Sequence, residues 1–358
     1  MPPTDPGLRS RPRPPAIIAL LGAGAFALLA GLLGAACGAV DLLPAFGIRW
    51  AASCGADRIG PDDAELATRI LLQIRLPRLA GGFLVGAALA SAGVLYQGLL
   101  RNPLADPFIV GASGGAALGI VCGQILLIYA GLPAGGAALI PTLGFAGALA
   151  AVWLVFLIAG RRGRRSNSTL VLTGFAVSSL LGALNLLILL TAQPLRERLL
   201  ESVSWILGGV KVSGWTPVAL ALPAIALCVA LGFMFARQLD YLALGGAGAA
   251  RLGVSVGRLR VALLLAASLL TAIAVALAGI VALVGLLVPH AARLVLGPAN
   301  RLLLPVAAIL GGAYLVLVDL IARTAFAPAE IPVGILAALL GTPVFLWLLR
   351  RDRFGYDF

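Results

Sequence analysis

Apolar runs long enough to cross a lipid bilayer recur from one end of the chain to the other. A spanning helix needs about 20 consecutive apolar residues to traverse the hydrocarbon core. Nine runs reach about that length, at roughly 16–40, 79–99, 108–130, 139–159, 169–191, 216–236, 261–284, 302–326 and 331–349. The chain is therefore predicted to be an all-α, polytopic membrane protein.

The charge content excludes the water-soluble classes of protein. Only 11% of the residues are charged, against about 25% in a typical soluble domain. A net charge of +12 would indicate nucleic-acid binding in a soluble chain. Here the arginines lie in short segments between the apolar runs, which is typical of membrane topology. The predicted partner is the lipid bilayer, and no nucleic acid is expected.

The charges at the two termini indicate an even number of crossings. Three arginines precede the first apolar run and three follow the last: Arg9, Arg11, Arg13, Arg350, Arg351 and Arg353. Basic segments remain in the cytoplasm, so both termini are predicted to lie there. Because nine crossings would separate the termini, a tenth crossing is required.

The tenth crossing fits the long uncharged stretch that starts at Val261. Gly285 and Pro289 are predicted to break this stretch and to leave a short helix at about 285–296. His290, beside the break, is interpreted as a structural residue that caps freed backbone groups. Non-helical backbone at that depth requires cover by other parts of the protein.

Ten crossings divide the chain into three parts. Residues 1–15 are a disordered cytoplasmic tail, residues 16–351 a transmembrane domain, and residues 352–358 a cytoplasmic C-terminal tail. The transmembrane domain has its largest cytoplasmic loop at about 237–260 and its longest outer loop at about 41–74. The whole charge excess of +12 then falls on the cytoplasmic segments, as the orientation rule requires.

Motifs for covalent chemistry or nucleotide binding are missing from the sequence. Lys211 follows two glycines but lacks the glycine spacing of a phosphate-binding loop, and neither HExxH nor GxSxG occurs. The single histidine, His290, has no neighbouring ligand, so no metal site is predicted. The four cysteines, without a CxxC pair, are interpreted as small apolar residues: Cys37, Cys54, Cys122 and Cys228. No catalytic residue is assigned.

Asp319 and Arg323 are the only candidates for ionisable residues within a span. They stand four residues apart, on one face of a helix, and are interpreted as an internal pair. A carrier coupled to protons or sodium ions would need acids at membrane depth. The sequence gives such a carrier little support.

Three segments with distinctive residue patterns follow one another along the chain. The first comprises Arg75-Leu-Pro-Arg78, then Arg101-Asn-Pro-Leu-Ala-Asp-Pro107 and Gly111-Ala-Ser-Gly114. The second is Gly285-Leu-Leu-Val-Pro-His290-Ala-Ala-Arg293. The third comprises Asp319-Leu-Ile-Ala-Arg323, Glu330-Ile-Pro-Val-Gly334 and Gly341-Thr-Pro-Val-Phe345. Together they closely resemble the permease subunits of type II ABC importers, which carry cobalamin, iron–siderophores and haem. The likeness covers about residues 16–351.

The resemblance implies an assembly of several chains in the bacterial cytoplasmic membrane. Two copies of the permease form the translocation path between them. Two ATP-binding cassette subunits hold ATP and Mg on the cytoplasmic side, so this chain carries no cofactor of its own. A bilobed substrate-binding protein docks on the outer side. The absence of a phosphate-binding loop in this sequence agrees with ATP hydrolysis on a separate chain.

The resemblance also implies roles for individual residues. Residues that dock the binding protein are Arg75, Arg78 and Arg323. Residues of the cytoplasmic gate are Asn102, Leu104, Asn167 and Ser168. Residues that contact the ATPase are Leu244, Gly245, Gly246, Ala250, Arg251, Leu252 and Gly253. The family often has an acidic residue where this chain has Gly246, which puts individual ATPase contacts in doubt but leaves the role of the loop unchanged.

The cargo follows from the family rather than from particular residues. Iron–siderophore or haem is favoured because iron chelates are its commonest cargo, and cobalamin is the alternative. Two readings of another class stay open, an ion-coupled secondary carrier and a scaffold that binds an ATPase without transport.

The topology predicts that a reporter fused to either terminus has the same activity. A fluorescent protein that folds only in the cytoplasm is expected to fluoresce at both ends, and a phosphatase active only outside is expected to be silent at both. Opposite signals from the two ends would require an odd number of crossings and would contradict this arrangement.

Overall fold

The computed structural model describes residues 14–38, 40–41, 57–58, 64–108, 111–130, 139–160, 167–192, 206–327 and 329–351. The predicted tails and the stretch around 193–205 lie almost wholly outside these ranges. The helices are α1 Ala16–Ala36, α2 Ala64–Ile70, α3 Leu76–Leu100, α4 Ala112–Tyr129, α5 Leu139–Gly160, α6 Asn167–Thr191, α7 Thr216–Met234, α8 Ala236–Leu242, α9 Gly246–Arg251, α10 Val256–Ala278, α11 Val284–Leu296, α12 Asn300–Thr324 and α13 Val333–Arg351. A π-helical turn, Leu71–Arg75, joins α2 to α3.

The described helices agree with the ten predicted apolar segments. Eight of them are long and apolar enough to cross a membrane, and α11 and α13 are shorter apolar helices. The prediction of an all-α membrane protein is confirmed. Within the described ranges the only strand pairing is a two-residue parallel bridge of Val40–Asp41 with Asp57–Arg58.

Helix α3 lies at the centre of the bundle and is buried along most of its length. It contacts α7, α10, α11 and α12, while α4 packs against α5 and α6, and α1 packs mainly against α12. Small residues allow these helices to approach closely. A Cβ at Gly86 of α3 would lie 2.6 Å from the carbonyl carbon of Gly311 in α12, and one at Gly115 of α4 would lie 2.9 Å from that of Gly147 in α5.

The break in the long uncharged stretch comes earlier than predicted. Helix α10 ends and α11 begins on either side of residues 279–283, which are non-helical. Gly285, Pro289 and His290 lie inside α11, so the prediction that they form the break is wrong. Gly279 ends α10 with φ 65°, a conformation that glycine adopts without steric cost.

Backbone groups from a distant segment cover this break. The amide of Gly209 donates a hydrogen bond of 2.8 Å to the carbonyl of Ala278. A Cβ at Gly208 would lie 2.5 Å from the carbonyl oxygen of Ile280, and one at Gly334 would lie 2.6 Å from the same atom. The requirement that protein cover non-helical backbone at this depth is therefore met.

Pro289 stays within a helix because α3 accommodates the carbonyl it leaves open. Proline has no amide to bond the carbonyl four residues earlier, which is that of Gly285. That carbonyl points at Gly93 of α3, where no side chain intervenes. His290 is buried with its ring edge-on to Phe345, at 5.9 Å between ring centroids and 71° between ring planes. His290 therefore lies inside α11 rather than beside a break.

The outer segment before α3 contains more structure than the sequence indicated. Helix α2 starts at Ala64, about ten residues inside the predicted outer loop. Cys37, just beyond α1, is disulfide-bonded, whereas Cys122 and Cys228 are free. The interpretation of all four cysteines as small apolar residues is wrong for Cys37.

Replacing Gly93 with alanine is expected to destabilise the protein by about 1–3 kcal/mol, the usual cost of overpacking a tight core. The added methyl would lie 2.6 Å from the carbonyl carbon of Gly285. Thermal unfolding of the detergent-solubilised protein measures the change. Gly182→Ala is the matched control, because no atom lies within 4 Å of a Cβ at that helical position. Equal stability of the two variants would contradict the tight contact between α3 and α11.

Candidate functional site

The Arg75-Leu-Pro-Arg78 segment begins at a π-helical turn. The amide of Leu76 bonds the carbonyl of Leu71, five residues earlier. In this spacing the next carbonyl, that of Leu72, would receive the amide of residue 77, but Pro77 has none. The indole Nε1 of Trp215 donates to the Leu72 carbonyl instead, at 2.9 Å. The proline therefore leaves an open carbonyl, and Trp215 at the start of α7 satisfies it.

Arg75 and Arg323 close the C-terminus of α1. The last carbonyls of a helix have no partner within the helix and carry its negative dipole end. Arg75 donates to the carbonyl of Ala35 at 2.8 Å, and Arg323 donates to the carbonyl of Gly34 at 2.7 Å. Since α1 has no basic residue in its own last turn, the caps come from the π-turn and from α12.

Arg78 lies between two carboxylates. Its Nη2 is 2.9 Å from Asp319 Oδ1, and its Nη1 is 3.0 Å from Glu330 Oε1. The predicted internal pair of Arg323 with Asp319 is present but longer, at 3.8 Å between Nε and Oδ2. Sequence reasoning missed the closer partner because Arg78 and Asp319 are 241 positions apart.

These contacts bring the three predicted docking arginines into one group, the outer arginine cluster, named for the side that the topology predicts. Its members are Arg75, Arg78, Asp319, Arg323 and Glu330. The side chains of Arg323 and Asp319 are only 6% and 2% exposed, and Arg75 is buried as well. Arg78 is 19% exposed and Glu330 51%, so the cluster reaches the surface only through these two residues.

The hydrogen bond from Arg78 lowers the pKa of Glu330 below its usual value. A carboxylate with a depressed pKa adds stability that is fully present above the unfolded-state pKa. That stability is lost as the pH falls through the lower, folded-state value. Glu330 therefore stays ionised, and bonded to Arg78, at neutral and mildly acidic pH.

The predicted gate loop is a compact turn after α3. Arg101 ends the helix in the left-handed conformation, with φ 49°, and Asn102 Oδ1 accepts the amide of Leu104 at 2.9 Å. Asn102 and Leu104 are both exposed. Burial raises the pKa of Asp106, in the same loop, to about 6. Asn167 begins α6; its side chain and that of Ser168 lie outside the described set.

The predicted cytoplasmic loop at about 237–260, called the coupling segment here, contains most of α8 and all of α9, with glycine turns on either side of α9. Gly245 and Gly253 adopt φ values of 87° and 81°, which only glycine adopts freely. Leu244 and Leu252 are exposed on this segment, at 67% and 55%. The other residues assigned to ATPase contact lie on α9 or beside it, at Gly246, Ala250 and Arg251. The segment thus presents two exposed apolar side chains, one on each side of a short helix.

Asp240 joins the coupling segment to the start of α12. Its Oδ1 accepts the backbone amide of Asn300 at 2.9 Å and the side-chain amide at 2.7 Å. Burial raises the pKa of Asp240, and the bonds from Asn300 act in the opposite direction. A cavity of about 490 Å³ lies beside this contact, lined by Arg101 and Leu244 among others. The predicted gate loop and the predicted coupling segment therefore meet at the N-terminus of α12.

The family model described as the FecCD transport family matches residues 19–351. The chain belongs to the FecCD transport family. The resemblance to permease subunits of type II ABC importers is thereby confirmed.

Three relatives of this FecCD chain have similar levels of identity. The cobalamin import system permease BtuC of Halobacterium salinarum is 44% identical over 81% of this chain and 75% of its own length. The Fe(3+) dicitrate permease FecD of Escherichia coli is 42% identical over 79% and 86%. The hemin permease HmuU of Yersinia pestis is 41% identical over 79% and 84%.

A solved structure agrees with the fold of this FecCD chain. It is an inward-facing conformation of a metal-chelate type ABC transporter, and it superimposes with a TM-score of 0.76 at 29% identity. The match covers 94% of this chain and 100% of that chain.

Replacing Asp319 with asparagine is expected to lower the free energy of unfolding by about 3 kcal/mol, the low end for a broken buried ion pair, because Arg78 keeps Glu330. Chemical denaturation in detergent micelles measures this loss. Glu65→Gln is the control, since Glu65 pairs with Arg69 at an exposed site and surface pairs contribute at most about 1 kcal/mol. A loss no larger than that of the control would show that Asp319 does not hold the cluster.

Proposed function

We propose that two copies of this chain form the translocation path of a binding-protein-dependent ABC importer for a metal chelate. Membership of the FecCD family supports the class of transporter. The observation that carries the mechanism is the position of α12, which holds Asp319 and Arg323 near one end and the contact with Asp240 at the other. A single helix thus joins the proposed docking surface to the proposed coupling segment.

ATP hydrolysis is assigned to a partner chain. The sequence lacks a phosphate-binding loop, and the FecCD family consists of transport permeases, so ATP and Mg belong on two separate cassette subunits. Leu244 and Leu252 support a docking role for the coupling segment, since both are exposed apolar side chains beside a predicted cytoplasmic surface. This chain does no covalent chemistry in the proposal.

The binding protein is proposed to dock on the outer arginine cluster through carboxylates. Three guanidinium groups stand against two carboxylates there, which leaves an excess positive charge. Complementary charge mainly orients an approaching partner and raises the association rate. Arg78 is the first contact in this proposal because it alone of the three arginines is partly exposed.

A signal is proposed to pass along α12 from the docking side to the cytoplasmic side. The helix has 25 residues and spans about 37 Å at 1.5 Å per residue, which matches the thickness of a membrane. Movement of its outer end would displace Asn300 and, through Asp240, the coupling segment. ATP binding to the cassette subunits would send a displacement along α12 in the opposite direction. Both termini of the chain are proposed to lie on the side of the membrane that contains ATP.

The proposed cargo is an iron–siderophore complex or haem, with cobalamin as the second candidate. Relatives named for ferric dicitrate, hemin and cobalamin transport stand at 42%, 41% and 44% identity, so all three names favour a large metal chelate. Uptake of radiolabelled ferric siderophore, haem and cobalamin by a strain that lacks its own importers tests this choice. Uptake that survives complete ATP depletion would favour an ion-coupled carrier instead.

Charge reversal at Arg78 tests the docking surface. Arg78→Glu is expected to weaken binding of the substrate-free binding protein to the permease–ATPase complex by roughly tenfold or more, because it replaces attraction with like-charge repulsion. Binding is measured by interferometry on complexes in nanodiscs, after gel filtration shows that the complex is assembled.

Arg69→Glu is the matched control, since Arg69 is exposed on α2, on the same predicted side, and pairs only locally with Glu65. Equal binding by the two variants would contradict docking on the cluster.

A further inference from the structure

The guanidinium group of Arg78 has two bonding edges, and a different carboxylate takes each. The side edge, Nε and Nη2, faces Asp319, at 3.1 Å from Nε to Oδ2 and 2.9 Å from Nη2 to Oδ1. The end edge, Nη1 and Nη2, faces Glu330, with both bonds at 3.0 Å. Bidentate pairs of this kind are geometrically specific. Both edges of Arg78 are thus occupied within the chain itself.

The two carboxylates differ in how easily each can leave Arg78. Asp319 sits in α12, is 2% exposed, and lies close to Arg323 as well. Glu330 stands in the short segment between α12 and α13 and is 51% exposed. Exposed ion pairs contribute little to stability, whereas breaking a buried pair is costly. Exchange of Arg78 for another partner is therefore expected to be easier at Glu330 than at Asp319.

We propose that Glu330 is an exchangeable internal counter-ion, which occupies the end edge of Arg78 in the free permease and yields it to a carboxylate of the docking binding protein. This inference rests on the proposed docking function. Asp319 keeps the side edge throughout and holds the guanidinium in place. The partner therefore meets an arginine already oriented but already neutralised, and it must displace Glu330 to bind.

In this proposal Glu330 weakens docking of the binding protein, whereas Arg78 strengthens it. If Glu330 competes with the partner's carboxylate, removing its charge strengthens docking, although Glu330 lies within the docking surface. The gain has two sources, since the end edge of Arg78 becomes free and the local net charge rises by one. Faster association at low ionic strength is expected from the second source.

The test compares Glu330→Gln with Glu65→Gln in the full permease–ATPase complex in nanodiscs. Both variants remove one negative charge on the predicted outer side, but Glu65 bonds Arg69 and lies outside the cluster. The substrate-free binding protein of the same transporter is the probe. Glu330→Gln is expected to bind roughly threefold more tightly than wild type, the scale of one exposed ion pair. Glu65→Gln is expected to leave the affinity close to wild type.

A second variant guards against an effect of the glutamine amide, which can still accept a bond from Arg78. Glu330→Ala removes the acceptor altogether and is expected to show at least the same gain. Unchanged or weaker binding by both Glu330 variants would overturn the proposal. So would an equal gain from Glu65→Gln, because general charge would then explain the effect.

The outcome is separable from the fate of the docking proposal. If Arg78→Glu weakens binding and the Glu330 variants do not strengthen it, docking on the cluster stands and the competition does not. If Arg78→Glu has no effect, docking itself fails and the competition falls with it. Thermal unfolding of each complex shows that a change in binding does not come from a loss of folded protein.

Discussion

Helix ends and irregular turns leave backbone groups that need partners inside the protein, and this requirement explains where several polar groups stand. The end of α1 receives Arg75 and Arg323, the carbonyl that Pro77 leaves open receives Trp215, and the break after α10 receives the amide of Gly209. In each case a helix end or irregular turn is covered by a group distant in sequence. The arginines assigned to docking are therefore part of the fold before any partner arrives.

Helix α12 connects the two ends of the molecule proposed to be functional, because both of its termini are tied to other elements. Asp240 binds its first amide, and Asp319 near its other end binds Arg78 of α3. In the middle of α12, Gly311 lies close to Gly86 of α3, so the two helices pack tightly there. In the proposed mechanism, α12 carries a displacement from its docking end to its cytoplasmic end, because it is held at both ends and packed at its centre.

Hydrophobic run length predicted the helices well, since every one of the ten apolar segments is a helix in the described structure. Local signals failed where the outcome depended on distant partners. Pro289 looked like a helix breaker, but Gly93 leaves room for the carbonyl it exposes, and the break moved to Gly279. The pair of Asp319 with Arg323 followed from spacing, whereas the closer contact with Arg78 needed tertiary structure. The family resemblance predicts which residues have a role, but the burial of those residues and their bonding partners can be read only from the folded structure.

Solvent exposure increases across the outer arginine cluster, from Asp319 to Glu330. This difference explains how the cluster can stabilise the fold and still be proposed to exchange a partner at its exposed end. A fully buried cluster could not meet a partner, and a fully exposed one would lose its geometry to side-chain entropy and to screening by salt. Here Asp319 and Arg323 are buried, and Arg78, bonded to Asp319 by its side edge, bonds the exposed Glu330 by its end edge. The loss of conformational entropy that orients the Arg78 side chain occurs during folding, before a partner binds. In the proposed docking, a partner's carboxylate finds a preorganised site, and the free energy of docking depends on how readily the outermost internal carboxylate, Glu330, leaves it.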